Sequence, residues 1–489
     1  MYKFTEIERK EPDKRPVEER IEDFKEIYKS FTNSELIQSA SRCGSCGIPM
    51  CQTWNDITKD GGCPLGNSIP DFLYLAANGR LREAYEVSAA TNNFPEFCGK
   101  LCPQSSLCES KTACVIGQSN HGSVTIGAVE SYLTDYAFEQ TDWIKPILIE
   151  EHLEKKQSVG IIGAGPAGLA AGEQLRKQGY EIHIYDRYDR VGGLLIYGIP
   201  NFKLESDIVE RRTKYLKDSG IKFHLNVNIG KDISFEDLRK KHDAIFIATG
   251  VYKSKELSID SKFKNVVHAL DYLTASNKKG LGDTVEDFES GKLNAKGKNV
   301  VVIGGGDTAM DAVRSAVRQK AKSVKCLYRR DKENMPGSPA EVENAEQEGV
   351  DFIWQSAPLV FKGKETVERV ECVKMQMSKP DEDGRRIPVE IANSKFSVDA
   401  DMIIQALGFD PENLPKLFNE VDLPVTDWGT IRVDSSNMMT NLKGVFAGGD
   451  IVRGASLVVW GIRDGREAAK SINSYLEKKN DSLNIKKAS

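Results

Sequence analysis

The stretch Ser158-Val-Gly-Ile-Ile-Gly163-Ala-Gly165-Pro166-Ala167-Gly168 decides the fold. An apolar run enters a Gly-x-Gly-x-x-Gly turn, and a helical pattern leaves it and stops at Gly179. The next apolar run, Ile182-His-Ile-Tyr-Asp186, ends in an acid 18 residues after Gly168. In a dinucleotide site each part has a physical job. Gly163 permits the tight turn, Gly165 lets a pyrophosphate approach the backbone, and Gly168 lets the helix pack closely on the strand. The helix opening at Pro166 and Ala167 turns its free N–H groups toward phosphate, and Asp186 can accept from ribose hydroxyls. A purely structural glycine turn would need neither the preceding strand nor the acid.

Working outward, the chain repeats itself. Asn299-Val-Val-Val-Ile-Gly304-Gly305-Gly306-Asp307-Thr308-Ala309 is a second strand–turn–helix of the form Gly-x-Gly-x-x-Ala. Each half later reaches a buried strand running into a small-x-Gly turn, at Asp243-Ala-Ile-Phe-Ile-Ala-Thr249-Gly250 and Asp401-Met-Ile-Ile-Gln-Ala-Leu-Gly408. Alternating strands and helices of this kind form mostly parallel sheets. The second half's next strand ends not in an acid but in Tyr328-Arg329-Arg330. Guanidinium groups pair with a 2′-phosphate that a carboxylate would repel, so NADP is favoured over NAD; a solvated strand end is the plainer alternative. Asp307 cannot sit directly against a phosphate and is expected to cap its own helix. Thr440-Asn-Leu-Lys-Gly-Val-Phe-Ala-Gly-Gly449-Asp450 resembles the second FAD fingerprint of two-dinucleotide flavoproteins, in which the Asp bonds the ribityl chain. With Gly192-Gly193-Leu194, this makes the first loop the FAD site and the second the NADP site, with a helix expected over about Leu457–Leu476.

The composition agrees with a large globular protein. At 489 residues the chain holds about three domains. A net charge of −5 provides no basic field for nucleic acid. The first 30 residues carry 17 charges, against a secretory signal, and no run of 18 apolar residues suggests a membrane span. The expected location is the cytoplasm.

Eight of ten cysteines lie between Cys43 and Cys114. Their spacing is Cys43-x2-Cys46-x4-Cys51-x11-Cys63, then Cys98-x3-Cys102-x5-Cys108-x5-Cys114. Zinc would favour two C-x2-C pairs, and only one exists. Cys63-Pro64 and Cys102-Pro103 carry the cysteine–proline signature of iron–sulfur ligation, and eight thiolates suffice for two 4Fe–4S clusters. Cys326 and Cys372 read as buried strand residues, so no redox cysteine pair is expected beside the flavin. The six histidines read as scattered structural or surface residues.

The expected organisation is an α/β protein. A lead-in over 1–30, exposed and partly helical, precedes a helical double 4Fe–4S domain and connector over 31–157. Helices are expected over Asp71–Ala89 and Ala128–Phe138. Two Rossmann-like domains follow: FAD segments at 158–297 and 409–489, with the NADPH domain inserted at 298–408.

Across nearly its whole length the chain resembles the small (β) subunit of bacterial NADPH-dependent glutamate synthase. The resemblance is carried by Arg42-Cys-Gly-Ser-Cys-Gly-Ile-Pro-Met-Cys51, Cys63-Pro-Leu-Gly-Asn-Ser-Ile-Pro70, Asn92-Asn-Phe-Pro-Glu96, Val124-Thr-Ile-Gly-Ala-Val-Glu130 and Cys326-Leu-Tyr-Arg-Arg-Asp331. It implies crossed ligation, with Cys43, Cys46, Cys51 and Cys114 on one cluster and Cys63, Cys102 and Cys108 on the other. Either Cys98 or Glu130 would complete the second set. The segments Gln52–Gly62 and Glu109–Ala113 are longer than the family pattern and are expected to enlarge loops. The resemblance further implies hydride transfer from NADPH to FAD. Single electrons would then pass through the clusters to a large (α) subunit with glutaminase and FMN domains, which forms glutamate from glutamine and 2-oxoglutarate. Such a protein is a hetero-oligomer. No catalytic side chain is expected, because hydride transfer needs orientation rather than an acid or base. The same electron-input module could instead serve ferredoxin or another reductase; a nucleotide-sensing iron–sulfur scaffold is the non-enzymatic alternative.

Overall fold

The computed structural model describes residues 3–55, 60–259, 262–379 and 386–488, so residues 56–59 of the Gln52–Gly62 segment lie outside the described residues. The cysteine-rich unit is helical: α1 (Asn33–Ser41), α2 (Ile69–Ala77), α3 (Leu81–Thr91), α4 (Pro95–Leu101) and α5 (Ile126–Glu139). A capping box starts α1, where the Thr32 side chain accepts from Glu35 N and Glu35 accepts from Thr32 N. The single helix expected over Asp71–Ala89 is two. Gly79 takes φ +72°, and Arg80 N donates back to Leu75 O, a glycine-terminated helix end. Leu36, Phe72, Leu73, Val129 and Leu133 close the core of this unit.

The chain then alternates through β1 (Ser158–Ile162), α6 (Pro166–Lys177), β2 (Glu181–Tyr185), α7 (Ser206–Asp218), β3 (Lys222–His224) and β4 (Ala244–Ile247). It continues with β5 (Val266–His268), α8 (Ala269–Gly280), β6 (Asn299–Ile303), α9 (Asp307–Arg318), β7 (Ser323–Leu327), α10 (Pro339–Gln347) and β8 (Asp351–Ile353). Three longer strands, β9 (Ser356–Gly363), β10 (Val367–Met377) and β11 (Pro388–Asp399), form an antiparallel sheet. Then come β12 (Met402–Gln405), β13 (Val445–Ala447) and the long C-terminal α11 (Val458–Ala488).

Two five-stranded parallel sheets result, ordered β13-β4-β1-β2-β3 and β8-β7-β6-β12-β5. The central strands β1, β4, β6 and β12 are buried on both faces, which is why they are nearly continuous apolar runs. In β1, Val159 and Ile161 face one core while Ile162 faces another; in β6, Val300 and Val302 turn from Val301 and Ile303 in the same way. β13 returns to the first sheet after the second is complete. The second sheet also recruits β5 and α8, which precede residue 298. Their pairing partner β12 arrives only later, so the local pattern did not reveal this. Among the described residues no helix is long and apolar enough to cross a membrane.

The lead-in is not simply exposed. Ile27 and Arg20 are buried, and the segment straps the units together. Ile27 N donates to Phe202 O at 3.3 Å. Arg20 ion-pairs with Glu348 at 3.0 Å, and the same carboxylate takes Arg314 at 2.9 Å and Arg318 at 2.6 Å. Lys203, next to Phe202, reaches Asp311 at 2.9 Å and Glu341 at 3.5 Å. Burial opposes the charge on Glu341, but Lys203 and Arg314 together hold its carboxyl down to about 2. Nor are the histidines all scattered. His183 and His224 stack with ring centroids 5.2 Å apart, and His242 lies 4.9 Å from His183. Burial lowers all three pKa values, that of His242 to about 4, so this is a neutral packed cluster.

Glu348→Ala removes the carboxylate that Arg20, Arg314 and Arg318 share, and leaves Arg314 with Glu341 alone. It should lower unfolding stability by about 3–5 kcal/mol. Urea denaturation followed by intrinsic fluorescence measures the loss.

Candidate functional site

The first glycine turn forms as the sequence requires. Gly163 takes φ +111°, and a Cβ there would lie 2.3 Å from Ala248 O; at Gly168 it would lie 2.0 Å from Gly163 O. Gly165, by contrast, faces open space, as a site for close backbone approach requires. Gly193, with φ +58°, sits with its Cβ position 3.1 Å from Gly165 Cα, so Gly192–Leu194 closes over the same turn. Asp186 is buried, which raises its pKa; its two oxygens accept from Ala164 N at 2.7 Å and Tyr188 N at 2.9 Å. Thr249 Oγ1, in the turn ending at Gly250, is buried with no partner. Such an orphaned hydroxyl suits a ligand in this cleft. Asp450 starts a short helix after Gly449 and accepts from Ser456 Oγ at 2.8 Å; burial pushes its carboxyl up to about 6.

Helix α11 completes this region. A Cβ at Gly465 would meet Ala167 O at 2.2 Å, and Gly461 lies against Pro166 and Ala167. These glycines let α11 press onto the start of α6. Arg187 and Tyr252 were not singled out by the sequence. The Arg187 guanidinium lies 5.3 Å and 4.9 Å from the Tyr188 and Tyr252 rings and ion-pairs with Glu412 at 2.9 Å, beside the cavity that Asp186 and Thr249 border. Adjacency of Arg187 to Asp186 was the available signal.

The second turn copies the first. A Cβ at Gly304 would lie 2.2 Å from Ala406 O, and the Tyr328 ring packs on Gly305. Gly306 faces open space, and α9 begins at Asp307-Thr308. Asp307 does not cap its own helix. Its Oδ1 accepts from Ser338 N at 2.9 Å, and Ser338 is the N-cap of α10. Gly337 N donates to Gly305 O at 2.9 Å, so the segment between β7 and α10 folds back on the turn. The acid thus holds this returning segment in place, a contact 31 residues away that local reading could not find. Arg329 is exposed and Arg330 half-buried; among the described residues neither pairs with a carboxylate, and Arg330 Nε is buried without a partner.

The eight cysteines ring two cavities. Cys43, Cys46, Cys51 and Cys114 border one; Cys63, Cys98, Cys102 and Cys108 border the other, together with Glu130 and Val459 of α11. Among the described residues no three His, Cys, Asp or Glu groups converge on one point as a single ion requires. Thiols spread around a cavity suit a polynuclear centre, in which each sulfur meets its own iron. Burial pushes the Cys51 and Cys63 thiols up to about 12, so a bound cation is needed to hold them as thiolates. Glu130 is buried, which lifts its carboxyl to about 7. Its Oε1 accepts from Asn67 at 2.9 Å and from Ser88 and Asn92 at 3.1 Å each. The Glu109–Ala113 segment is a turn with Lys111 and Thr112 exposed, anchored at its start: Glu109 accepts from Gly127 N at 2.9 Å and pairs with Arg9 at 2.6 Å. Cys326 and Cys372 are fully buried strand residues in β7 and β10.

Two dinucleotide-type sheets behind a cysteine-rich helical unit define a pyridine-nucleotide oxidoreductase with an iron–sulfur type domain. Residues 157–465 match the pyridine nucleotide-disulphide oxidoreductase family, and residues 20–142 match dihydropyrimidine dehydrogenase domain II, 4Fe-4S cluster. Over 480 residues the chain is 56% identical to the glutamate synthase [NADPH] small chain of Azospirillum brasilense, covering 98% of this chain and 97% of that one. The Escherichia coli small chain is 42% identical over 486 residues, covering 98% and 99%. The chain belongs to the glutamate synthase [NADPH] small chain family. In fold it is similar to Mycobacterium tuberculosis FprA in complex with NADPH, with TM-score 0.56 and 18% identity over 67% of this chain and 86% of that one.

The two glycine classes separate in experiment. Compared in flavin-free protein, Gly168→Ala drives a Cβ into backbone and should lower the thermal transition by many degrees, whereas Gly165→Ala meets nothing and should leave it unchanged. Calorimetry of the two variants checks this.

Proposed function

We propose that this chain is the NADPH-oxidising, electron-input subunit of a glutamate synthase. The observation that carries the reading is a shared wall: α11 lies against the first glycine turn at Gly461 and Gly465 and borders the second cysteine cavity at Val459. FAD, when bound, would supply a hydride acceptor for NADPH and a one-electron donor to iron–sulfur centres.

The residues of this chain bind and orient. Gly163, Gly165, Gly168 and Gly193 cradle the FAD pyrophosphate at the start of α6, Asp186 holds the ribose, and Asp450 the ribityl chain. Gly304 to Gly306 and Thr308 offer the NADPH pyrophosphate the start of α9, and Arg329 and Arg330 take the 2′-phosphate. Asp307 stays off the phosphate, engaged with Ser338. Cys43, Cys46, Cys51 and Cys114 hold one 4Fe–4S cluster. Cys98 joins Cys63, Cys102 and Cys108 on the other, while Glu130, drawn toward three donors, stands beside it. The electrons leave to a large subunit carrying glutaminase and FMN domains, which forms glutamate. Isolation of the native complex and mass spectrometry test this. A co-purifying chain with those domains is expected; a ferredoxin or another reductase in its place would overturn the assignment.

Three measurements test the residue roles. Gly165→Ala should fold yet retain little FAD, seen by absorbance after gel filtration. The double variant Arg329→Ala, Arg330→Ala should lose roughly 2–4 kcal/mol of the preference for NADPH over NADH in kcat/KM. Cys98→Ala should lower iron from about eight atoms per chain to about four, while Glu130→Gln keeps about eight.

A further inference from the structure

The string Asn92-Asn-Phe-Pro-Glu96 lies between the second cysteine cavity and the first glycine turn, and consecutive residues face opposite ways. Asn92 turns to the cysteines: its Nδ2 donates to Glu130 at 3.1 Å, and its Oδ1 lies 3.7 Å from Cys98 Sγ. Asn93 turns to the helices of the glycine turn. Its Nδ2 donates to Glu173 of α6 at 2.6 Å, and its Oδ1 accepts from Arg466 of α11 at 2.8 Å. Arg466 also donates to Ala90 O at 3.0 Å, at the end of α3. Glu96 accepts from Arg212 of α7 at 2.6 Å and 3.0 Å. Asn93 and Glu173 are only 4% and 3% exposed, so these bonds are screened little by water.

Among the described residues, Asn93 is the single side chain that bonds both helices flanking the first glycine turn. Both of its bonds are charge-assisted, one to a carboxylate and one from a guanidinium, and such bonds are short and directional. Its neighbour Asn92 fixes the backbone of the same turn to the cysteine cavity. The amide therefore spans the seam at which the two sites meet.

We propose that Asn93 is a positioning residue that sets the spacing between the first dinucleotide site and the Cys63, Cys98, Cys102, Cys108 centre. The inference rests on the reading that electrons pass from the flavin to that centre. Electron transfer between two centres falls off exponentially with their separation, so widening this seam slows the transfer while leaving each site's own binding groups in place. Asn93→Asp places a carboxylate against Glu173 and should push α6 away. Adding Glu173→Gln reverses the donor and acceptor, so the paired bonds to Gln and to Arg466 form again.

The test uses the anaerobically purified holoenzyme. For Asn93→Asp, FAD and iron content should match wild type, and flavin bleaching by NADPH in stopped flow should stay within twofold. Cluster reduction, followed by freeze-quench electron paramagnetic resonance, should slow at least threefold. Hydrogen exchange in peptides covering 92–101 and 458–470 should rise. The double variant Asn93→Asp, Glu173→Gln should restore both cluster reduction and exchange protection. Unchanged cluster reduction in the loaded single variant overturns the proposal. Loss of FAD or iron, or failure of the double variant to recover, assigns Asn93 a merely structural role and also overturns it. If wild type itself does not reduce its clusters from NADPH, the underlying functional reading falls instead.

Discussion

One buried carboxylate fixes how the parts of this molecule meet. Glu348 receives Arg20 from the N-terminal strap and Arg314 and Arg318 from α9. Without that acid Arg314 would keep Glu341 alone, and among the described residues Arg20 and Arg318 would have no carboxylate at all, so the strap, α9 and the end of α10 stabilise one another. Arg314 and Arg318 also lie 4.5 Å and 4.0 Å from the Phe202 ring, and Phe202 O accepts from Ile27 of the strap. Lys203 extends the network to Asp311 and Glu341. A segment that first reads as loose thereby ties the first sheet's surface loops to the second sheet's helices. Replacement by apolar residues could match the stability of such a network; the ionic version adds geometric selectivity, because only one arrangement satisfies every charge.

Helix α11 ties the cysteine-rich unit to the first sheet's helices. Glycines at 461 and 465 let it approach the start of α6 closely, and Val459 carries its first turn to the cysteine cavity. Trp460 on the same turn makes an edge contact with Trp54, at 5.0 Å between ring centroids. One element therefore touches both regions, and its close packing holds the frame within which Asn93 sits.

What the sequence disclosed follows the range of each interaction. The glycine turns, the strand-end acid Asp186, the cysteine spacing and the buried character of Cys326 and Cys372 are local, and their residue types carry their reasons with them. The cysteine sets could be grouped only by resemblance, since Cys114 lies 63 residues beyond Cys51 and nothing between them announces the meeting. Asp307 was misread because its partner is the backbone of Ser338, not its own helix. The unbroken helix expected over Asp71–Ala89 failed for the opposite reason. Apolar periodicity continues across Asn78-Gly79-Arg80, but Gly79 in the left-handed region ends the helix locally. The His183, His224 and His242 cluster escaped notice because it assembles from β2, the end of β3 and the approach to β4.

The strap also bears on the order in which the chain is made. Arg20 and Glu348 are 328 residues apart (348 − 20). At about 5–20 residues per second, a ribosome takes roughly 16–65 s to cover that distance. During this interval the cysteine-rich helices can collapse around their own core, while the buried face of the strap has no counter-charge to receive it. Docking of the strap is thus a late event in biogenesis, since Arg20 waits for Glu348 before it reaches its native place.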